Sequence, residues 1–342
     1  MSSRVIVERQ AGLSSTDTLF EDVRRGLFSS PKTLPPKHLY DAEGGRLFEE
    51  ICRLPEYYPT RTETALLAEV APELVRSLRP ETLVELGSGS STKTRLLLDA
   101  MGALNRPARY VSLDLDETML RQSAEVLAGR YPWLSVRARV ADFEAPLSGL
   151  PRGAGTLVVF LGGTVGNLEQ AAAVRVLSGL AAATGAGSSL LLGIDRIKDP
   201  ARIAAAYDDA QGVTARFNLN LLQVLNRRLE ASFDPRDFRH LAFYDRDAEQ
   251  VEMHLVARRA LEVRLQALEL TARFAAGESV RTEISRKFSQ GSARAMVERA
   301  GWTVRHLFSP PNEDFSLVWA VADGRGEDAP AVNPLAASEP FP

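Results

Sequence analysis

The stretch Glu81-Thr-Leu-Val-Glu-Leu-Gly-Ser-Gly-Ser-Ser-Thr-Lys-Thr94 constrains this chain more than any other. A β-type apolar run from Thr82 to Leu86 carries an acid at Glu85, breaks at Gly87-Ser-Gly89, and enters a helix with Leu96, Leu97 and Leu98. Strand, glycine turn and helix in that order bring backbone close to a ligand and aim free N–H groups at it. A dinucleotide fingerprint needs G-x-G-x-x-G, but Thr92 stands at the third glycine. A phosphate P-loop needs G-x-x-x-x-G-K-[ST]; Lys93-Thr94 fits, but Thr92 again replaces a glycine. An acid just before G-x-G suits an S-adenosylmethionine (SAM) loop, and Glu85-Leu-Gly87-Ser-Gly89 has that form. The motif alone leaves SAM, another nucleotide and a structural turn all open.

From residue 82 to 195 strand and helix patterns alternate. Strands are expected at Thr82–Leu86, Arg109–Leu113, Val136–Val140, Thr156–Leu161 and Ser189–Ile194, with helices such as Glu117–Arg130 and Leu168–Ala183 between them. Such units fold as a parallel, doubly wound sheet that binds ligands at the carboxyl ends of its strands. Strand two ends in Asp114, with Asp116 close behind; strand three ends in Asp142-Phe143; strand four ends in Gly162-Gly-Thr-Val-Gly-Asn167. Each acid alone is an ordinary helix N-cap. Together along one sheet edge they favour a nucleoside pocket, with acids for ribose hydroxyls and the adenine amino group and an aromatic ring for the adenine face.

Before this core, Thr16–Phe28 reads as a helix with Leu19, Phe20, Val23, Leu27 and Phe28 on one side. A proline-rich segment, a loop over 38–45, a short helix over 47–54 and a rigid aromatic loop over 55–63 follow. That loop ends in a Thr60…Glu63 capping box, and a helix runs from about Ala65 to Leu78. This lead-in is a structural cover or a lid. After Asp195, helices over 201–232 give way to β-type stretches at His240–Tyr244, Val251–Ala257, Leu261–Phe274 and Ser279–Ser285, an insertion with its own antiparallel sheet. The helix Ser292–Ala300 and strands Thr303–Phe308 and Ser316–Ala322 return to the main sheet. The expected division is 1–196 for lid and SAM-binding core, 197–286 for an inserted α+β substrate domain, 287–323 for the return, and 324–342 for a disordered tail.

A net charge of -3 with scattered basic residues argues against a nucleic-acid partner. The single cysteine, Cys52, fits a reducing compartment and reads as core; cytoplasm is the expected location and a monomer the expected state. His38, His240, His254 and His306 show no metal-ligand spacing, and no run approaches the ~18 apolar residues of a membrane span.

Six segments carry a more specific signal. They are Pro31-Lys-Thr-Leu-Pro-Pro-Lys37, Leu54-Pro-Glu-Tyr-Tyr-Pro-Thr-Arg-Thr-Glu63, Val84-Glu-Leu-Gly-Ser-Gly89, Phe160-Leu-Gly-Gly-Thr-Val-Gly-Asn-Leu168, Ala206-Tyr-Asp-Asp209 and Thr282-Glu-Ile-Ser-Arg-Lys-Phe288. Through them the chain, from about Asp22 to Ala322, resembles the histidine Nα-methyltransferases of ergothioneine biosynthesis. The resemblance implies a Rossmann-like SAM-methyltransferase sheet with an inserted substrate domain. It implies transfer of three methyl groups from SAM to the α-amine of L-histidine, giving trimethylhistidine (hercynine). It implies that Gly87, Lys93, Asp114, Asp142 and Phe143 hold SAM, with Tyr57 contributing there too. Tyr57, Asn167 and Tyr207 would grip the amino-acid end of histidine. Glu283 and Ser285, flanking Ile284 and with Tyr40 nearby, would read the imidazole. Phe48, Gly162, Thr164 and Met253 would line the pocket. The chain departs at Gly163, where a serine is familiar, at Arg286, which could alter the charge near Glu283, and in its added tail.

The residues agree chemically with that implication. Displacement at a sulfonium needs positioning above all, and no lysine or histidine base is evident. No metal and no covalent enzyme intermediate are expected. The alternatives are the same chemistry on another aromatic amino acid, or a ligand-binding module on an inactive fold. Glu283 separates the first, because a carboxylate suits an imidazole N–H and penalises an apolar ring. Glu283 and Ser285, two apart on a strand, face the same way. Together they accept from one imidazole nitrogen and donate to, or accept from, the other.

Overall fold

A computed structural model of the protein describes residues 4–10, 15–89 and 91–323. The expected disordered tail, 324–342, lies outside them. In chain order the elements are β1 (Val5–Arg9), α1 (Ser15–Gly26), β2 (Lys32–Thr33), α2 (Ala42–Ile51), α3 (Tyr58–Leu78), β3 (Thr82–Leu86), α4 (Thr94–Gly102), β4 (Ala108–Asp114), α5 (Glu117–Arg130), β5 (Leu134–Val140) and β6 (Thr156–Phe160). Then follow α6 (Gln170–Thr184), β7 (Ser189–Asp195), α7 (Pro200–Ala205), α8 (Val213–Leu229), β8 (Phe238–Asp245), β9 (Gln250–Ala257), β10 (Leu261–Leu265) and β11 (Leu270–Phe274). The chain ends in β12 (Ser279–Arg286), α9 (Gln290–Arg299), β13 (Trp302–Phe308) and β14 (Phe315–Ala322).

The central strands β3, β6 and β7 are buried along their whole length, so apolar runs rather than alternation define them. They lie in an eight-stranded sheet of order β1-β5-β4-β3-β6-β7-β14-β13. The first six strands are parallel; β14 runs antiparallel to β7, and β13, antiparallel to β14, points again with the first six. One face packs α3, α4 and α5 through Leu67, Leu97 and Leu127; the other packs α6 and α9 through Leu177 and Val297. This is the doubly wound α/β sheet expected. β1, which extends it beyond β5, has no counterpart among the expected strands.

The insertion forms a four-stranded sheet, β2-β12-β9-β8, and the hairpin β10–β11. α8 covers it, and the N-terminal segment joins the same core: Leu19, Val23, Leu39, Leu47 and Tyr57 pack with Phe217, Leu221, Met253 and Val280. Lys32 and Thr33 pair with Val280 and Arg281, and Lys32 bonds Glu278 at 2.6 Å, which closes the sheet edge. Two crossing points join insertion to core. Phe288 N donates to Asp195 O at 2.9 Å and Ile197 N to Phe288 O at 3.1 Å, so the outgoing and returning chains run side by side.

Four local expectations are corrected. Leu261–Phe274 is not one strand: it turns over Gln266–Leu268 and Glu269, whose φ is +54°, and folds back on itself. The loop expected over 38–45 is largely helical, because Asp41 caps α2 by accepting from Gly44 N at 2.9 Å. α3 begins at Tyr58 rather than Ala65, and the Thr60…Glu63 capping box does not form, because Glu63 is drawn into the interior. Phe28 falls beyond the end of α1 and is exposed.

Candidate active site

The glycine turn leaves β3 with Gly87 at φ +62° and Gly89 at φ +46°, conformations that disfavour any side chain. Gly87 is exposed, and a Cβ there would lie 4.0 Å from the Phe143 ring. A ligand can therefore approach bare backbone beside an aromatic edge. Phe143 is fixed edge-on to Phe160, with ring centroids 5.3 Å apart. Behind the turn, Glu85 accepts from Thr94 Oγ1 at 2.5 Å and from Tyr110 Oη, bracing the loop against α4 and β4. Burial pushes its carboxyl up to about 7. Glu85 is thus a structural brace.

Asp114, at the end of β4, accepts from Gly89 N at 2.9 Å and Asp116 N at 3.1 Å. Burial raises its pKa against those two N–H groups. Asp142 accepts from Glu144 N at 2.9 Å, and Lys37 from the N-terminal segment reaches it at 3.4 Å while also pairing Asp22 at 3.0 Å. Lys93 extends from the loop to the buried Glu63 carboxylate, which also accepts from Gly162 N at 2.7 Å. Gly162 and Gly163, at φ +84° and +66°, lead into the turn that ends at Asn167. Thr164 there donates to Leu161 O at 2.9 Å. Gly87, Phe143, Asp114, Asp142 and Lys93 thus line one edge of the sheet as a cradle of open backbone, an aromatic face, two acids and a cation. That set offers donors and acceptors for a nucleoside ligand.

The second half of the site is aromatic. Tyr40, Phe48, Tyr57 and Tyr207 form a continuous edge-to-face chain, with successive centroids 5.5, 6.1 and 6.2 Å apart, and Phe217 backs Tyr40 at 5.4 Å. Burial holds the Tyr40, Tyr57 and Tyr207 phenols above their ordinary pKa, and the Glu283 carboxylate adds to it in each. The Asp114 charge acts on Tyr40 in the same direction.

Glu283 and Ser285 share a face of β12, as expected; Ile284 between them projects to the opposite face, leaving its backbone on this side. Met253 pairs directly with Glu283 across the strands and is buried in the adjoining core. Burial pushes the Glu283 carboxyl up to about 7, opposed by the Lys287 ammonium. Among the described residues no side chain hydrogen-bonds to that carboxylate. The charge near Glu283 is therefore set by Lys287 and not by Arg286, whose place on the pleat turns it to the far face with its guanidinium over Phe288.

Lys287 is absent from the expected site residues. Fully buried at the joint between insertion and core, its Nζ lies 2.8 Å from Asp195 Oδ2 and donates to Tyr207 Oη at 2.9 Å and Ser285 Oγ at 2.8 Å. Tyr207 O–H donates to Ser285 Oγ at 2.7 Å. Asp195 also accepts from Tyr58 Oη at 2.8 Å and from Lys198. Burial raises the Asp195 pKa and lowers that of Lys287. The attraction of Lys287 and Lys198 outweighs burial at Asp195, and that of Asp195 with Tyr207 outweighs it at Lys287, so both stay charged. Asp195 ends strand β7, the same carboxyl-end position that marks Asp114 and Asp142, so its place on the sheet is the signal that could have found it.

The family described as histidine-specific, SAM-dependent methyltransferase matches residues 19–322. The chain is 47% identical to a histidine N-alpha-methyltransferase of Mycolicibacterium smegmatis over 308 residues, 90% of this chain and 96% of that protein. It is 46% identical to the Mycobacterium tuberculosis protein of the same name, over 87% and 93% of the two chains. Ergothioneine biosynthesis protein 1 of Schizosaccharomyces pombe is 28% identical over 83% of this chain and 38% of its own length.

Proposed function

Because the chain belongs to the SAM-dependent, histidine-specific methyltransferases, we infer that it methylates the α-amine of L-histidine with SAM, the first step of ergothioneine biosynthesis. SAM supplies an activated methyl group, and three transfers give hercynine. The observation that supports the histidine reading is the buried pair Glu283 and Ser285 on one face of β12, with Ser285 bonded to Tyr207 at the end of the aromatic chain.

On this reading Gly87, Asp114, Asp142, Phe143, Lys93 and Tyr57 hold SAM. Asn167, Tyr57 and Tyr207 hold the amino-acid end, Phe48, Gly162, Thr164 and Met253 shape the pocket, and Glu283 and Ser285, with Tyr40, take the imidazole. The buried phenols have raised pKa values and stay protonated, so they are not bases; Tyr207, whose hydrogen goes to Ser285, meets the substrate as an acceptor through its remaining lone pair. The amine must therefore reach the site neutral or lose its proton to water. Fixing its direction of approach is then the main contribution of the protein.

Residues 19–58 and the insertion 197–286 serve as the acceptor-binding unit, and the eight-stranded sheet as the donor-binding unit. No described helix is long and apolar enough to cross a membrane. We place the enzyme in the cytoplasm as a monomer; size-exclusion chromatography with light scattering tests the latter. Incubation of the protein with SAM and histidine, read by mass spectrometry, tests the activity. Mono-, di- and trimethylated histidine are expected, and unmodified histidine beside methylated phenylalanine or tryptophan would overturn the acceptor assignment.

A further inference from the structure

Ser285 can be read more closely than its type suggests. A serine hydroxyl has two lone pairs and one hydrogen, and a lysine ammonium has three N–H donors. All three donors of Lys287 are used, on Asp195 at 2.8 Å, Tyr207 at 2.9 Å and Ser285 at 2.8 Å. Ser285 Oγ also accepts from Tyr207 at 2.7 Å. Both of its lone pairs are therefore filled by the protein, and only its hydrogen remains to offer. Two residues back on the same face stands Glu283, which when ionised can only accept.

We propose that Lys287 is a positioning residue that sets the polarity of the imidazole site: by filling Ser285 as an acceptor, it leaves Glu283 and Ser285 to present one acceptor and one donor. That pair is the complement of a neutral imidazole, with one N–H and one bare nitrogen. The inference rests on the histidine reading and sharpens it. A ring of the same size with C–H in place of the bare nitrogen leaves the Ser285 hydrogen unpaired in a buried site, which costs far more than a simple misfit. Asp195 anchors the arrangement and keeps Tyr58 and Lys198 as partners if Lys287 is removed.

The test compares kcat/KM for histidine with the better of the two pyrrolylalanines, which keep one ring N–H and carry C–H for the other nitrogen. The wild type should prefer histidine by at least about tenfold. Lys287→Met removes the donors and frees a lone pair on Ser285, so the serine can reorient. The preference should then fall by about tenfold while SAM affinity holds. A merely structural role would slow both acceptors in proportion. An unchanged preference in a variant that still binds SAM, or no preference in the wild type, overturns the proposal. A wild type that methylates neither overturns the functional reading instead. Should Lys287→Met fail to bind SAM, Lys287→Gln, which keeps a donor for Asp195, takes its place: a preference reduced about tenfold supports the proposal, and an unchanged one overturns it. Ser285→Ala must erase the preference in every case; its persistence there would also overturn the proposal.

Discussion

Replacing Glu283 with glutamine should stabilise the protein, and only at high pH. The carboxyl is buried and titrates at about 7 in the folded state, against 4.5 for an ordinary glutamate. Below pH 4.5 it is protonated in both states and its burial carries no charge penalty. Between about 4.5 and 7 the unfolded chain releases the proton first, so stability falls as pH rises; above 7 the full cost is present. A difference of about 2.5 units corresponds to roughly 3 kcal/mol. Glutamine has nearly the same shape and no charge to desolvate. Urea denaturation of both proteins at pH 5 and 8.5 isolates the effect, because every other group, Glu85 included, is common to the two. The variant should be more stable by up to roughly 3 kcal/mol at pH 8.5 and by under about 1 kcal/mol at pH 5. Saturating histidine should stabilise the wild type far more than the variant, since the imidazole N–H relieves the unpaired carboxylate. A stability difference independent of pH would refute the argument, because it would mean that the carboxylate is solvated and has no need of a ligand.

The other expectations can be checked separately. Asp114→Ala should weaken SAM binding by roughly 1–3 kcal/mol in calorimetry, as lost hydrogen bonds to a charged group imply; unchanged affinity, or tight NAD binding by the wild type, would refute the cradle. Tyr207→Phe removes a partner from both Lys287 and Ser285, so stability in urea should fall by roughly 1–3 kcal/mol and histidine binding should weaken with SAM binding nearly intact. If SAM and histidine affinity drop together, Tyr207 is structural only. Glu283→Ala should relax discrimination against phenylalanine and tryptophan, more so when Met253, its cross-strand partner, is made smaller. Steady-state kinetics on the three amino acids decides this, and selectivity that survives the change would place imidazole recognition elsewhere.

The sheet is legible in the sequence because burial on both faces writes itself as an uninterrupted apolar run. β3 has the bounds expected, Thr82–Leu86, and β6 and β7 agree within a residue. Candidate ligands are legible where position carries meaning, as with Asp114 and Asp142 at strand ends or Glu283 and Ser285 at i, i+2. Partners distant in sequence are not. Glu63 reads as a partner of Thr60 because both are local, yet its carboxylate bonds Lys93 and Gly162 from two other elements. The break between β10 and β11 has no glycine, proline or asparagine to announce it; Glu269 takes the left-handed conformation instead. Nor does periodicity reveal that residues 19–58 share a core with 203–280.

Lys287 shows why such residues escape sequence reading and why they matter. A lysine just past a strand end reads as solvated, and its partner Asp195 is 92 positions away, across the whole insertion. The pairing of residues 195–197 with Phe288, the next residue along, brings the two together. On the proposed reading, the SAM cradle hangs from the strand ends of one sheet, and the carboxylate that takes the imidazole from the other. Their separation is set at this joint, where the Asp195–Lys287 pair and the Tyr207–Ser285 hydrogen bond tie β7 to β12 and α8's lead-in. For a reaction whose donor arrives already activated, the distance and direction between two bound molecules are what the protein can contribute. On that reading the buried network at the joint serves methyl transfer by fixing this distance, although none of its charged members need touch the methyl group.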